Sequence, residues 1–396
     1  MKNIVGSPAR GESFFPRVKE IGSIISRLDD GNNLNIAAPR RIGKTSILFH
    51  LLDDSIGNYI YVYVDTEAVD NEADFFKKIL KEITKVEEIS RSGRLKSLFS
   101  SGHKFLGKIK SIKIAGQGID FVETAQKETD YREDLINLLS GIELEEDRQL
   151  VLLIDEFPQT IQNIVDAGKG DLTAARQFLQ STRALRLDPV INSKIRFIFT
   201  GSIGLNHTVA EINCSAFVND LNSVEVSDLA REDALILLDK LLSSKKLHIK
   251  PALAEYLLEK LEWLIPFHIQ LAVQEISLQS ISSGEITKAD IDKAFESIIQ
   301  ARNNNHFDHY YSRLKRRFKG EEFRYANELL EKLSVDGSLS KAQIIDLAAK
   351  YDLEERWRII VEILEYDGYI SLINGTNTFR FNSPIVRMWW QRYICK

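Results

Sequence analysis

Two hydrophobic periods divide this chain. In the first part, short continuous apolar runs mark buried strands at 34–38, 59–65, 149–154 and 194–200, and stretches with helical spacing separate them. An amphipathic helix running into Leu28 precedes the first strand. The alternation continues to about residue 227 and predicts a doubly wound α/β core with a parallel sheet. From about 228 the pattern is helical only, with helices expected at 230–242, 252–264, 267–280 and 287–302. Residues 303–320 are polar and basic and read as a connector. The remainder predicts helices at 322–334, 340–350 (opened by a Ser340 cap) and 354–367. A hairpin of 369–372 and 378–381 follows, turned through Asn374-Gly375, and a helix with Trp389 and Trp390 closes the chain. That order reads as a winged helix. The expected domains are therefore a core over 1–227, a helical lid over 228–305 and a winged helix over 306–396.

Candidate chemistry starts where the first strand ends. The run Ala38-Pro39-Arg40-Arg41-Ile42-Gly43-Lys44-Thr45-Ser46 lies between a strand and a helix and has the layout of a phosphate-binding loop. Backbone N–H groups of such a loop face phosphates, and the next helix offers its positive N-terminal end. Lys44 would reach the β- and γ-phosphates and Thr45 would place its hydroxyl on Mg²⁺. Ala38 stands where the motif has its first glycine, so the turn there should keep φ negative.

The strand at 149–154 has five consecutive aliphatic residues, Leu150 to Ile154, and ends in Asp155-Glu156. Unbroken apolarity fits a central strand covered on both faces, and its C-terminal end is where α/β sheets bind ligands. This is the Walker B pattern: Asp155 for the Mg²⁺ shell and Glu156 as general base toward an attacking water. The next strand ends in Thr200-Gly201-Ser202, where Thr200 or Ser202 would supply a polar contact to the γ-phosphate or the water. Ordinary turn chemistry is the competing reading of those three residues.

Composition narrows the setting. The 396 residues carry a net charge of −5, so nucleic-acid binding would need a local patch. One basic stretch lies in an insertion at about 88–125, with seven Lys or Arg between Arg91 and Gly118 and a hairpin expected over 112–121. A second surrounds Arg313, Lys315, Arg316, Arg317 and Lys319. The third helix of the C-terminal domain sets four glutamates against two arginines, a poor groove reader. Protein packing is therefore preferred over DNA reading there. Cys214 and Cys395 form no framework and no metal-ligand spacing. With no apolar segment long enough to cross a bilayer, a cytoplasmic protein without membrane association is expected.

These motifs, in this order, resemble the archaeal-type ATPase family, a branch of the STAND signalling ATPases close to the origin-recognition members of the AAA+ class. The matching features are Phe15-Pro16-Arg17-x-x-Glu20-Ile21, the loop at 38–46, Leu153-Ile154-Asp155-Glu156-Phe157-Pro158, the segment 199–205 and the closing Phe379-Arg380-Phe381-Asn382-Ser383-Pro384. The resemblance implies an ATP/ADP- and Mg²⁺-dependent switch, with a protein partner or self-association through the lid and winged helix. It also implies adenine contacts from Arg17 and from Pro266, although the glycine that usually accompanies that proline is absent. No Arg or Lys lies between Gly201 and Ala230, where oligomeric motors carry an arginine finger. Arg183 and Arg186 are the candidates left, and slow turnover is expected. The alternative function is a DNA-associated, origin-recognition-like ATPase using the winged helix and the basic insertion. A scaffold that binds nucleotide without hydrolysis fits poorly with the paired carboxylates.

Overall fold

Strand β3 (Gln149–Asp155) is buried along almost its whole length, as its uninterrupted apolar run requires. The computed structural model that shows this describes residues 1–86, 89, 130–145, 147–279 and 284–395. The expected basic insertion, Ile89 apart, and its hairpin lie outside the described residues. The chain divides into two compact units: Arg17–Ala37 with Lys44–Val226, and Met1–Pro16 with Ala38–Gly43 and Ser227–Lys396.

The first unit runs α1 (Val18–Asp29), β1 (Asn33–Ala37), α2 (Lys44–Asp54), β2 (Tyr59–Asp65), α3 (Glu72–Ile83), α4 (Tyr131–Gly141), β3, α5 (Phe157–Ala167), α6 (Thr173–Leu187), α7 (Pro189–Asn192), β4 (Ile195–Thr200), α8 (Leu205–Glu211) and β5 (Leu221–Glu225). The five strands are parallel in the order β2-β3-β4-β1-β5. β4 therefore stands between the strand that leads into the loop and the strand that carries the acids. Its two partners fix the register: Ile36 pairs with Thr200, and Ile154 with Phe199. Asp65 of β2 pairs with Asp155. Beneath the strands, Phe75, Phe157, Phe178 and Phe199 interlock, with ring centroids 4.5 Å apart for Phe157–Phe199 and 4.9 Å for Phe75–Phe178. Such tilted aromatic contacts add to simple burial. Helix starts are capped by short polar side chains: Asn71 accepts from the Asp74 amide, and Asp130 from the amides of Arg132 and Glu133.

The second unit contains α9 (Arg231–Ser244), α10 (Pro251–Leu261), α11 (Pro266–Gln279), α12 (Lys288–Ile298), α13 (Asp308–Arg317), α14 (Gly320–Asp336), β6 (Ser338–Ser340), α15 (Lys341–Ala349), α16 (Trp357–Tyr366), β7 (Ile370–Leu372), β8 (Thr378–Phe381) and α17 (Pro384–Tyr393). β6, β8 and β7 form a small antiparallel sheet in that order. Thr287 and Ser340 each open their helix with a reciprocal capping box. The tryptophans of α17 are buried, and Trp389 donates its indole N–H to Asn304 Oδ1 at 2.8 Å.

Two expectations need correction. The polar stretch after 303 is not a connector, because α13 forms there and buries Tyr310 and Leu314 beneath its basic face. The third helix of the C-terminal segment begins at Trp357, so Glu354 and Glu355 precede it. Asp352, just upstream, takes a left-handed backbone (φ 56°).

Candidate nucleotide-binding site

After β1 the chain runs Ala38-Pro39-Arg40-Arg41-Ile42-Gly43 into Lys44, the first residue of α2. Left-handed backbone falls on Arg41 (φ 66°) and Gly43 (φ 110°) and not on Ala38. A Cβ at Gly43 would meet nothing within 4 Å, so the backbone angle, not space, requires glycine there. Arg41 has a Cβ in the same region, and packing inside the second unit accompanies it. Its guanidinium carbon lies 3.9 Å from the centroid of the Phe267 ring, and burial lowers its pKa to about 10. Pro266 opens α11 at a position where its missing N–H costs nothing. In the first unit, Arg17 is buried just before α1 and donates to Glu20 Oε1 at 3.0 Å. Ser46, in the first turn of α2, is half-buried.

The carboxylates gather a polar cluster in the first unit. Asp155 Oδ2 accepts from Thr45 Oγ1 at 2.9 Å and from the Tyr63 hydroxyl at 3.1 Å. Asp155 Oδ1 accepts from the Glu156 amide at 3.1 Å and from Thr200 Oγ1 at 3.3 Å. The backbone of Asp155 is fixed as well: its carbonyl accepts from the Thr66 amide at 3.0 Å and from Thr66 Oγ1 at 2.8 Å. Burial, then the charge of Glu156, raises the Asp155 pKa, while the hydroxyls of Thr45 and Tyr63 and the ammonium of Lys44 pull it back. Lys44 itself is only 7% exposed. A cation would relieve this buried acid.

The donor set suits one cation class. Among the described residues no group of three or more His, Cys, Asp or Glu is placed to hold a metal. One carboxylate and one hydroxyl are too few for Ca²⁺ or Zn²⁺. They fit Mg²⁺, which keeps waters and takes substrate phosphate oxygens with only one or two protein carboxylates.

Glu156 precedes α5 in the left-handed region (φ 59°), unusual for a residue with a Cβ. Its Oε2 accepts from the Ser202 amide at 3.0 Å and from Ser202 Oγ at 2.9 Å. Ser202, read from the sequence as a second candidate for phosphate contact, here holds the neighbouring acid. Gly201 has a packing reason of its own, because a Cβ there would lie 2.5 Å from Cδ of Pro158.

The first unit thus brings together Lys44, Thr45, Asp155, Glu156, Thr200 and Ser202. Arg186 is committed elsewhere. Fully buried, it pairs through Nε and Nη2 with both oxygens of Asp220 at 2.7 and 2.9 Å, and Nη2 also donates to the Phe217 carbonyl at 2.7 Å. It cannot reach out as an arginine finger. Arg183, one turn earlier, donates to Asn219 Oδ1 at 3.1 Å. Sequence reading missed Tyr63 and Thr66. A signal existed for Tyr63, because Tyr61, Tyr63 and Asp65 share one face of β2 by the two-residue period of a strand.

No known family model matches the chain, and no curated protein does. Solved structures do. The Walker-type ATPase PABY2304 of Pyrococcus abyssi superposes with a TM-score of 0.62 at 17% identity, over 99% of this chain and 100% of that one. The ORC2 protein of Aeropyrum pernix, solved in ADPNP–ADP complexes, gives 0.54 at 12% identity, over 96% of this chain and 94% of that one. At these identities the likeness is one of fold: this chain has the α/β fold of P-loop ATPases, a parallel-sheet core followed by a helical part.

Proposed function

We propose that this protein binds a nucleoside triphosphate with Mg²⁺ and hydrolyses it slowly, as a nucleotide-dependent conformational switch of the archaeal-type, STAND-like ATPases. The observation that carries the reading is the 2.9 Å hydrogen bond from Thr45 to Asp155, 110 residues apart in the chain. It joins the two halves of a nucleotide site that the sequence motifs predict separately. The shared fold and the ADPNP–ADP complexes of the Aeropyrum protein support the same ligand class.

In this reading the amides of the loop, with Arg40, Arg41, Ile42 and Gly43, face the phosphates, and Lys44 adds a point charge. Pro39 has no amide hydrogen and shapes the turn. Thr45 and Asp155 would hold Mg²⁺, which when bound would neutralise developing phosphate charge. Glu156 takes the proton of the attacking water, and Thr200, whose hydroxyl donates to Asp155 in this structure, donates to the terminal phosphate or the water once nucleotide is bound. The family resemblance implies adenine contacts from Arg17 and from Pro266. The three-helix, three-strand arrangement of the C-terminal segment supports its reading as a winged helix that meets a protein partner or a second copy. Duplex DNA is the alternative partner, and binding to it would weaken steeply with salt.

Calorimetry with Mg·ATP tests the proposal. Binding is expected for the native chain and should be lost in Lys44→Ala. Glu156→Gln should keep binding and lose hydrolysis, and native turnover should fall below about one per second at 25 °C, the low end of the usual enzyme range. Absence of heat in the native protein would overturn the reading.

A further inference from the structure

The carboxylate assigned as base is not left to choose its own rotamer. Glu156 Oε2 accepts two hydrogen bonds from one residue, the amide and hydroxyl of Ser202, at 3.0 and 2.9 Å. Two residues earlier, Thr200 Oγ1 donates to the other acid, Asp155, at 3.3 Å. The end of β4 therefore grips both acids at the end of β3, each through one hydroxyl. Gly201 between them lets the Pro158 ring of α5 approach, since a Cβ would sit 2.5 Å from Cδ and 2.9 Å from Cγ of that proline. Glu156 itself is in the left-handed region, which points its side chain away from the path a strand or helix would give it.

We infer that Ser202 is a positioning residue for Glu156: it holds Oε2 through two hydrogen bonds so that Oε1 faces the attacking water. The inference rests on the ATPase reading and adds a role that the phosphate-sensor assignment of this segment does not contain. The chemistry follows from geometry. A free glutamate samples several rotamers, whereas a general base has to lie within hydrogen-bond reach of the proton it removes. Fixing one oxygen leaves the other with a single direction, and two donors on one carboxylate oxygen are charge-assisted and therefore strong. A phosphate-sensing Ser202 would act differently. It would contact the nucleotide and change its affinity.

Steady-state hydrolysis and nucleotide affinity of Ser202 variants separate the cases. Ser202→Ala should lower kcat about tenfold or more, part of the ~10²–10⁴ that a general base contributes, while KM and Mg·ATP affinity stay unchanged. Ser202→Thr keeps the hydroxyl and should recover most of the lost kcat. In the Glu156→Gln background Ser202→Ala should have little further effect, because the two residues act as one unit. Should Ser202→Ala not fold, Ser202→Gly, which also lacks the hydroxyl, takes its place with the same expected loss of kcat at unchanged affinity, and an unchanged kcat there overturns the inference. An unchanged kcat in Ser202→Ala overturns the inference and leaves the ATPase reading intact, as does a loss of affinity at constant kcat. Absence of hydrolysis by the native protein would instead remove the reading on which the inference rests.

Discussion

One missing methyl group decides how α5 meets the end of β4. A Cβ on Gly201 would overlap both ring carbons of Pro158 that face it, at 2.5 and 2.9 Å, and a proline ring has no rotamer by which to retreat. Gly201→Ala should therefore destabilise the fold by about 1–3 kcal/mol, the usual cost of overpacking. Urea unfolding would show it as a lower midpoint at unchanged slope. At this scale Lys44, Thr45, Asp155 and Glu156, which the first unit brings together, were legible in the sequence, because the phosphate and Mg²⁺ chemistry proposed for them restricts residue type and spacing. Ser202 was legible only as a candidate for phosphate contact and Tyr63 only as one face of its strand; what each touches was not. Their partners depend on strand register and on the left-handed turn at Glu156, and neither leaves a mark in composition.

Between elements, the Arg186–Asp220 pair ties α6 to the segment leading into β5. The arginine side chain is fully buried and the aspartate 12% exposed. Arg186→Met would leave that carboxylate with its desolvation uncompensated, and a loss of about 3 kcal/mol is expected. A thermal melt showing no loss would mean that Asp220 finds water or another donor. The strands were readable here because continuous aliphatic runs admit few alternatives. β5, with one buried residue in five, and the three-residue β6 were invisible for the opposite reason. α13 was hidden by charge: Lys315, Arg316 and Arg317 fill its last turn, where cations favour a helix, and mask its narrow apolar stripe.

For the whole molecule, the buried histidines predict how stability responds to acid. His268 is 1% exposed, and its Nδ1 lies 3.3 Å from the Trp263 carbonyl. Burial, with the Arg41 charge adding and the Trp263 carbonyl opposing, lowers its pKa to about 3. His309 falls to about 2, again mainly through burial, with Arg41 and Arg40 next. Both folded values lie below that of an unfolded histidine near 6.5, so the unfolded chain takes the proton first. The stabilising effect is therefore present above about pH 6.5 and lost as pH falls toward 3, at up to ~1.4 kcal/mol per pH unit for each histidine. Urea unfolding at pH 7.5 and 5.5 measures that loss, and His268→Gln should make the dependence shallower. A flat profile between these two values would contradict the neutral state of both rings.

The strand order β2-β3-β4-β1-β5 also bears on biosynthesis. β4 fills the gap between its two neighbours, so neither can take its final place until residues 195–200 have left the ribosome. A nascent chain halted earlier holds Lys44 and Asp155 with nothing to bring them into register. On the proposed reading, nucleotide then stabilises the emerging domain only late, after roughly half of the polypeptide is exposed and long-range parallel pairing, an intrinsically slow step, has occurred. Until then the aliphatic run of β3, paired with β2 on one side, has its other edge open, the stage at which a chaperone would matter most.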